Sequence, residues 1–248
     1  MTDVTVTFDG GTPGADVVAG SNGIQSVVDT PAPKFQTGFH GTAQVVAGGS
    51  SNTTDCRCRV DTGNSGNQYL SAYLKYNTAH TSSGNFLIFA SLCNSSNSIQ
   101  ISFRIGSAGE FNIRTGTSTV VRTGSAGEIP TNSEFRLDLQ LTGTTCNWWL
   151  YKTDPEADPA SAADLSGSFT FPSSTISRWI IGPNSSTALT KHFSYDTLRS
   201  STTGRLPAFN PPPAGPTVKV WNGSAEVAVT YKVWNGSAEV AIGSWAVN

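Results

Sequence analysis

The chain has 248 residues, a formal net charge of −2 and only 13% charged residues, with its lysines and arginines scattered. That balance gives no electrostatic basis for binding nucleic acid or an anionic membrane, and no run is long and apolar enough to span a bilayer. Ser, Thr, Asn and Gly dominate and helix formers are scarce, which predicts an all-β protein with volume for one large domain.

The N-terminal stretch 1–8 lacks the basic region and apolar core of a signal peptide, so synthesis as a soluble cytoplasmic chain is expected. Strands are predicted wherever apolar and polar residues alternate: 4–8, 39–46, 56–60, 69–76, 86–93, 99–105, 111–114, 134–141, 146–151, 168–171, 178–181 and 192–198. Cys56 and Cys58 alternate with Arg57 and Arg59, as buried free thiols on one strand face would. Cys93 and Cys146 stand alone, without the paired spacing of a zinc site. The phrase Gly-Ser-Ala-Gly-Glu occurs at 106–110 and again at 124–128, and both copies predict tight connections. Only 154–167 could hold a short helix. A dozen antiparallel strands, each with one apolar face, imply two sheets packed face to face. In that register Ile99, Ile101, Phe103 and Ile105 face inward with Phe135, Leu137, Leu139 and Leu141.

Residues 206–216 are rich in proline and predict a stiff, extended spacer. Beyond it the phrase Lys-Val-Trp-Asn-Gly-Ser-Ala-Glu-Val-Ala is written twice, at 219–228 and 232–241. Asn-Gly within alternating residues marks a two-residue hairpin turn, so Asn222-Gly223 and Asn235-Gly236 are expected as turns. Counted outward, Trp221 then faces Ser224, Val220 faces Ala225, Lys219 faces Glu226 and Val218 faces Val227, and Lys232 meets Glu239 in the second copy. Such hairpins bury too little to be stable alone. Val218, Val220, Trp221, Val227, Val229, Val233, Trp234 and Val240 are therefore the expected assembly residues. The organisation read from the sequence is a sandwich over 1–205, a linker over 206–216 and a tandem hairpin module over 217–248.

Binding candidates are aromatics that point off the core. Leu70, Ala72 and Leu74 facing inward turn Tyr69 and Tyr73 outward, and one register of 146–151 exposes Trp149 and Tyr151 beside Asn147. Flat aromatics with neighbouring amides suit sugar rings; the competing reading makes these rings a satellite core beneath loops. Asp154, Glu156, Asp158 and Asp164 crowd one loop that could offer oxygens to calcium, but no spacing matches a defined calcium loop, so no cofactor is expected. Glu134 and Asp138 are the nearest approach to a catalytic pair. Four residues apart on one strand, they are roughly 13 Å apart, too far for a retaining glycosidase, and they read as solvent-face charges. No nucleophile elbow, phosphate loop or zinc motif occurs, so the chain is expected not to be an enzyme.

The first strand Val4-Thr-Val-Thr-Phe-Asp9, the long amphipathic strands and the closing His192-Phe-Ser-Tyr-Asp-Thr-Leu-Arg199 resemble the concanavalin A-like or laminin G-like jelly roll. Asp196 matches that family's final-strand acid, while Tyr195 stands where it commonly has another. The Lys-Val-Trp-Asn-Gly-Ser repeats are similar to those that end minor tail proteins of phages infecting actinobacteria. Together these resemblances imply a virion component exposed to the host surface, so the outward aromatics are expected to meet a host-surface glycan, and the appendage to attach the sandwich to other virion proteins or, because the tandem phrase gives each chain two equivalent edges, to make a homo-oligomer, a trimer by preference. A capsid decoration or head-fibre protein is the alternative they leave open, and a glycan-degrading jelly roll the third.

Overall fold

In the computed structural model the described residues are 4–6, 8, 11–17, 26–27, 34–37, 44–47, 58–62, 67–79, 86–116, 118–172, 175–182 and 193–208, with four short strands beyond. The chain divides into two compact units, Met1–Ala208 and Phe209–Asn248. The described strands of the first are β1 (Val4–Val6), β2 (Ser26–Val27), β3 (Lys34–Thr37), β4 (Gln44–Ala47), β5 (Cys58–Asp61), β6 (Asn67–Tyr76), β7 (Leu87–Cys93), β8 (Ile99–Ile105), β9 (Phe111–Thr115), β10 (Thr119–Arg122), β11 (Ser133–Thr142), β12 (Thr145–Tyr151), β13 (Leu165–Thr170), β14 (Arg178–Ile181) and β15 (Phe193–Ser201). They form two antiparallel sheets. The first runs β13-β12-β11-β6-β15-β4-β3 with β1 also on β15, and the second runs β10-β9-β8-β7-β14-β5-β2.

The sheets meet through their apolar alternates. On β11, Phe135, Leu137 and Leu139 stand opposite Leu74, Ala72 and Leu70 of β6, and all are buried. Phe89 of the second sheet reaches across to Phe193 at 5.2 Å and, edge-on, to Phe135 at 5.8 Å, both on the first. Phe111 meets Trp148 edge-on at 5.3 Å. Each such ring withdraws apolar area worth about 1.5–3 kcal/mol, which makes this layer the main source of stability. Ile101, Phe103 and Ile105 are buried as the alternation requires, while Ile99, beside a register shift at Leu92/Cys93, is only half-buried. Cys93 and Cys146 are buried free thiols, and burial drives the Cys146 thiol far up. Cys56 lies outside the described residues.

The two Gly-Ser-Ala-Gly-Glu turns lie side by side. Gly127 N donates to Ala108 O at 2.7 Å and Ile129 N to Gly109 O at 2.9 Å. Gly109 and Gly127 have φ of 85° and 78°, the left-handed region that glycine enters without strain. In each copy the glutamate folds back over the turn's first glycine, so that a Cβ at Gly106 or Gly124 would meet the carboxylate at 2.1 or 2.3 Å. Glu128 also takes Arg122 in a two-point ion pair, at 2.8 and 2.7 Å.

Several expectations are corrected. Residues 154–167 hold turns and the start of β13 rather than a helix: Asp154 and Asp158 each close a local turn by accepting the backbone N–H two residues on, and Asp164 is drawn instead to the N–H groups of Lys152 and Thr153. Short β2, β3 and β10 carry too little alternation to announce themselves. In the second unit the described strands are β16 (Val218–Trp221), β17 (Glu226–Val229), β18 (Lys232–Trp234) and β19 (Glu239–Ala241). Val220 pairs with Val227, Val218 with Val229 and Trp221 with Glu226, while Lys232 pairs with Ala241 and Trp234 with Glu239. The register is thus displaced by two residues from the Lys219–Glu226 and Lys232–Glu239 pairing expected. It sets Val opposite Val twice in the first hairpin, the pairing that β-branched residues favour. The turns expected at Asn222-Gly223 and Asn235-Gly236 lie outside the described residues.

Candidate ligand-binding face

The outer face of the first sheet carries three rows of polar and aromatic residues, each set by strand register. One row is Ser201–Tyr69–Gln140–Asn147–Ser168, running across β15, β6, β11, β12 and β13. The next is Arg199–Ser71–Asp138–Trp149–Ser166, and the third Asp196–Tyr73–Arg136–Tyr151. All follow from period two: the residues flanking Leu137, Leu139 and Leu141 must point away from the core. A bulge at Thr197, whose φ is 43°, restores the alternation of β15 so that Asp196 and Arg199 both reach this face.

The third row and much of the second lie beneath a roof made of the β12–β13 connection and the segment after β15. Arg136 donates to Pro155 O at 2.5 Å, Arg205 to Pro159 O at 2.5 Å, and Arg199 to Pro207 O. Three guanidiniums thereby hold both segments down through backbone carbonyls, and Pro159 O also accepts from Tyr151 OH at 3.3 Å. Arg136 and Asp138 meet at 3.2 Å and Arg205 approaches Asp138 to 3.5 Å. Tyr73 OH donates to Glu156 at 3.4 Å, and Arg205 donates to Tyr151 OH at 2.7 Å. The Arg136 guanidinium stands 4.1 Å from the Tyr151 ring centroid and that of Arg205 3.9 Å from Trp149. Burial pushes the Asp138 carboxyl up against the opposing pull of Arg136, and likewise pushes Glu156 up against the Tyr73 hydrogen bond.

The first row stays open from Tyr69 to Ser168, while Ser201 at its β15 end is buried. Tyr69, Gln140 and Asn147 are half-buried and Ser168 is exposed. Gln140 Nε2 donates to Tyr69 OH at 3.3 Å, and Asn147 Nδ2 donates to Gln140 Oε1 at 3.3 Å. This relay orients a phenol and two amides along one line and leaves further donors and acceptors toward solvent.

The candidates read from the sequence therefore separate. Tyr69 and Asn147 share the open row. Trp149 is half-buried beside it with one ring face against Arg205. Tyr73 and Tyr151 do point off the sheet, but at 1% exposure each they are covered, contrary to the outward exposure expected, because the roof closes over them. Asp138 is likewise buried rather than a solvent-face charge, whereas Glu134 pairs with Lys75 at 3.4 Å. Sequence reasoning missed Gln140, although its alternation with Leu139 and Leu141 marks it. It also missed Arg205, which no local pattern signals. Asp154 and Asp158 each accept a backbone N–H two residues on, and Glu156 faces Tyr73. Among the described residues no group of three His, Cys, Asp or Glu gathers as a metal site would require. No described helix is long and apolar enough to cross a membrane.

No protein-family model and no curated protein matches the chain. Solved structures do. A Shewanella oneidensis protein of unknown function superposes with TM-score 0.52 at 17% identity, over 80% of this chain and 84% of that one. The cellulose-induced protein Cip1 gives 0.56 at 14% identity, over 83% and 100%. The receptor-binding domain of botulinum neurotoxin type G gives 0.51 at 10% identity, over 84% of this chain and 48% of that one. The likeness is one of fold. It agrees with the two-sheet β-sandwich formed by the described strands β1 to β15.

Proposed function

We propose that this chain is a non-enzymatic component of a phage virion, a minor tail protein whose sandwich recognises a host-surface glycan along the row Tyr69–Gln140–Asn147–Ser168. The observation that carries the glycan reading is the hydrogen-bonded relay of a half-exposed phenol and two amides on an open sheet face. It offers a sugar a flat apolar surface and in-line polar partners at once. The placement on a phage tail is supported by the resemblance of the C-terminal repeats, and attachment or self-association, as a trimer, falls to those hairpins. The absence of cutting is supported by the state of the two carboxylates: Asp138 is buried against Arg136, and Glu134 is paired with Lys75.

The test is binding of the full chain to a glycan array and to whole host cells, with reducing ends assayed in parallel. Saturable binding that falls about tenfold or more in Tyr69→Ala and Asn147→Ala, with no reducing ends released, is the expected result. Unchanged binding in both variants overturns the assignment of the row. Cleavage that disappears in Glu134→Gln overturns the non-enzymatic reading.

A further inference from the structure

The outer face of the second sheet is a separate surface with a different charge. Register places Arg114, Ser102, Ser91, Ile180 and Arg59 in one row across β9, β8, β7, β14 and β5. Arg104, opposite Asn112, stands diagonally from Arg114, and Arg178 stands opposite Asp61. Four arginines thus share this face with two described carboxylates, Asp61 and Glu110. Glu110 folds over Gly106 and accepts the Ala108 N–H at 3.0 Å, without an ion pair to either Arg104 or Arg114. Asp61 is already engaged, at 3.2 Å from Arg59 and 3.3 Å from Arg178, and Arg178 also donates to Asn97 Oδ1 at 2.6 Å.

Arg104 and Arg114 have no such neutralisation. Among the described residues neither forms an ion pair. Arg104 Nε donates to the hydroxyl of Ser102 at 2.9 Å, and Arg114 lies 5.9 Å from the Phe86 ring centroid. Diagonal neighbours on adjacent strands have Cβ atoms about 7–8 Å apart, within reach for long side chains, and like charges so placed repel. Their proximity is felt electrostatically: burial first, and then the Arg114 charge, weaken the hold of Arg104 on its proton. Beneath the pair Ser102, Ser91 and Asn112 are buried polar side chains, so the floor under the guanidiniums is polar rather than hydrocarbon, with the Asn112 amide already engaged by Glu110 O and Gly124 N. A protein of net charge −2 that keeps two half-buried guanidiniums together, with no described carboxylate paired to either, has a place for an anion.

We propose that Arg104, Arg114 and Ser102 form an oxyanion-binding site that receives a phosphate or carboxylate group of a ligand. The guanidiniums supply N–H donors to its oxygens, and Ser102, buried beneath them, holds Arg104 in place by accepting its Nε–H at 2.9 Å. The site is on the sheet opposite the glycan row and does not depend on that reading.

The experiment is a titration of the full chain followed by nitrogen–proton NMR of the arginine Nε–H groups and the Ser102 amide. Inorganic phosphate and acetate are added separately at ionic strength held constant with sodium chloride. Saturable shifts at Arg104, Arg114 and Ser102 are expected with at least one anion, and the stronger of the two names the group the ligand carries. In Arg114→Gln and in Arg114→Lys, which keeps the charge but loses the fork, the apparent affinity is expected to fall about fivefold or more. Thermal melting gives a second readout: the preferred anion raises the midpoint of the parent chain and not that of Arg104→Gln. Shifts that track ionic strength alone, or saturation and stabilisation unchanged in these variants, overturn the proposal.

Discussion

Arg136 and Asp138, two residues apart on β11, leave the sheet on the same side and meet at 3.2 Å with side-chain exposures of 0% and 5%. Removing one partner of such a pair strands a buried charge, which costs about 3–5 kcal/mol, whereas replacing both with apolar residues costs much less. Asp138→Ala is therefore expected to lose about that much stability in denaturant unfolding. The double variant Arg136→Met/Asp138→Leu should lose clearly less than the sum of the two single changes.

Acid sensitivity should centre on Glu128. Burial alone would raise its carboxyl, but the Arg122 side chain, followed by the backbone N–H groups of Ser125 and Phe111, outweighs burial and holds it below its ordinary value. A carboxylate depressed in the folded state adds stability above its unfolded pKa of about 4.3 and loses it as the pH falls through the lower folded value. Stability measured against pH should drop on acidification below about pH 4.3. Glu128→Gln should be less stable at neutral pH and show a shallower acid decline.

The twin turns make a paired comparison. A methyl on Gly109 would meet Ile129 O at 2.4 Å, whereas one on Gly127 has nothing within 4 Å, and both positions have positive φ. Gly127→Ala then carries only the left-handed backbone penalty of about 1–2 kcal/mol. Gly109→Ala must also displace the Ile129 carbonyl and should melt at a distinctly lower temperature.

If the hairpin unit is the assembly element, deleting residues 209–248 should leave a folded monomer by light scattering, while the full chain runs as a trimer. A truncated chain that keeps the oligomeric state of the full one would remove the hairpins from that role.

Alternation in 99–105, 134–141 and 146–151 made the sandwich legible, because period two both builds a strand and chooses its buried face. It also placed Tyr69, Tyr73, Trp149 and Tyr151 on one outer face. What it could not supply was what lies above that face. Tyr73 and Tyr151 are covered because Pro155, Pro159 and Pro207 return over them, and that return is set by Arg136, Arg205 and Arg199, up to 46 positions away from the residues they hold. The hairpin register failed for a local reason. Two-residue and four-residue connections preserve the same alternation, so pattern alone does not separate them.

The contact between the two Gly-Ser-Ala-Gly-Glu turns bears on the order in which the molecule assembles. The first copy closes the short β8–β9 hairpin within one sheet, while the second begins the crossing from β10 in the second sheet to β11 in the first. Ala108 and Gly109 offer carbonyls to the second copy only once the hairpin has turned. Closing the shorter loop costs less entropy, so the hairpin turn serves as the template on which the crossing is laid down. Changes at Gly109 should accordingly slow folding, and changes within the crossing should chiefly hasten unfolding.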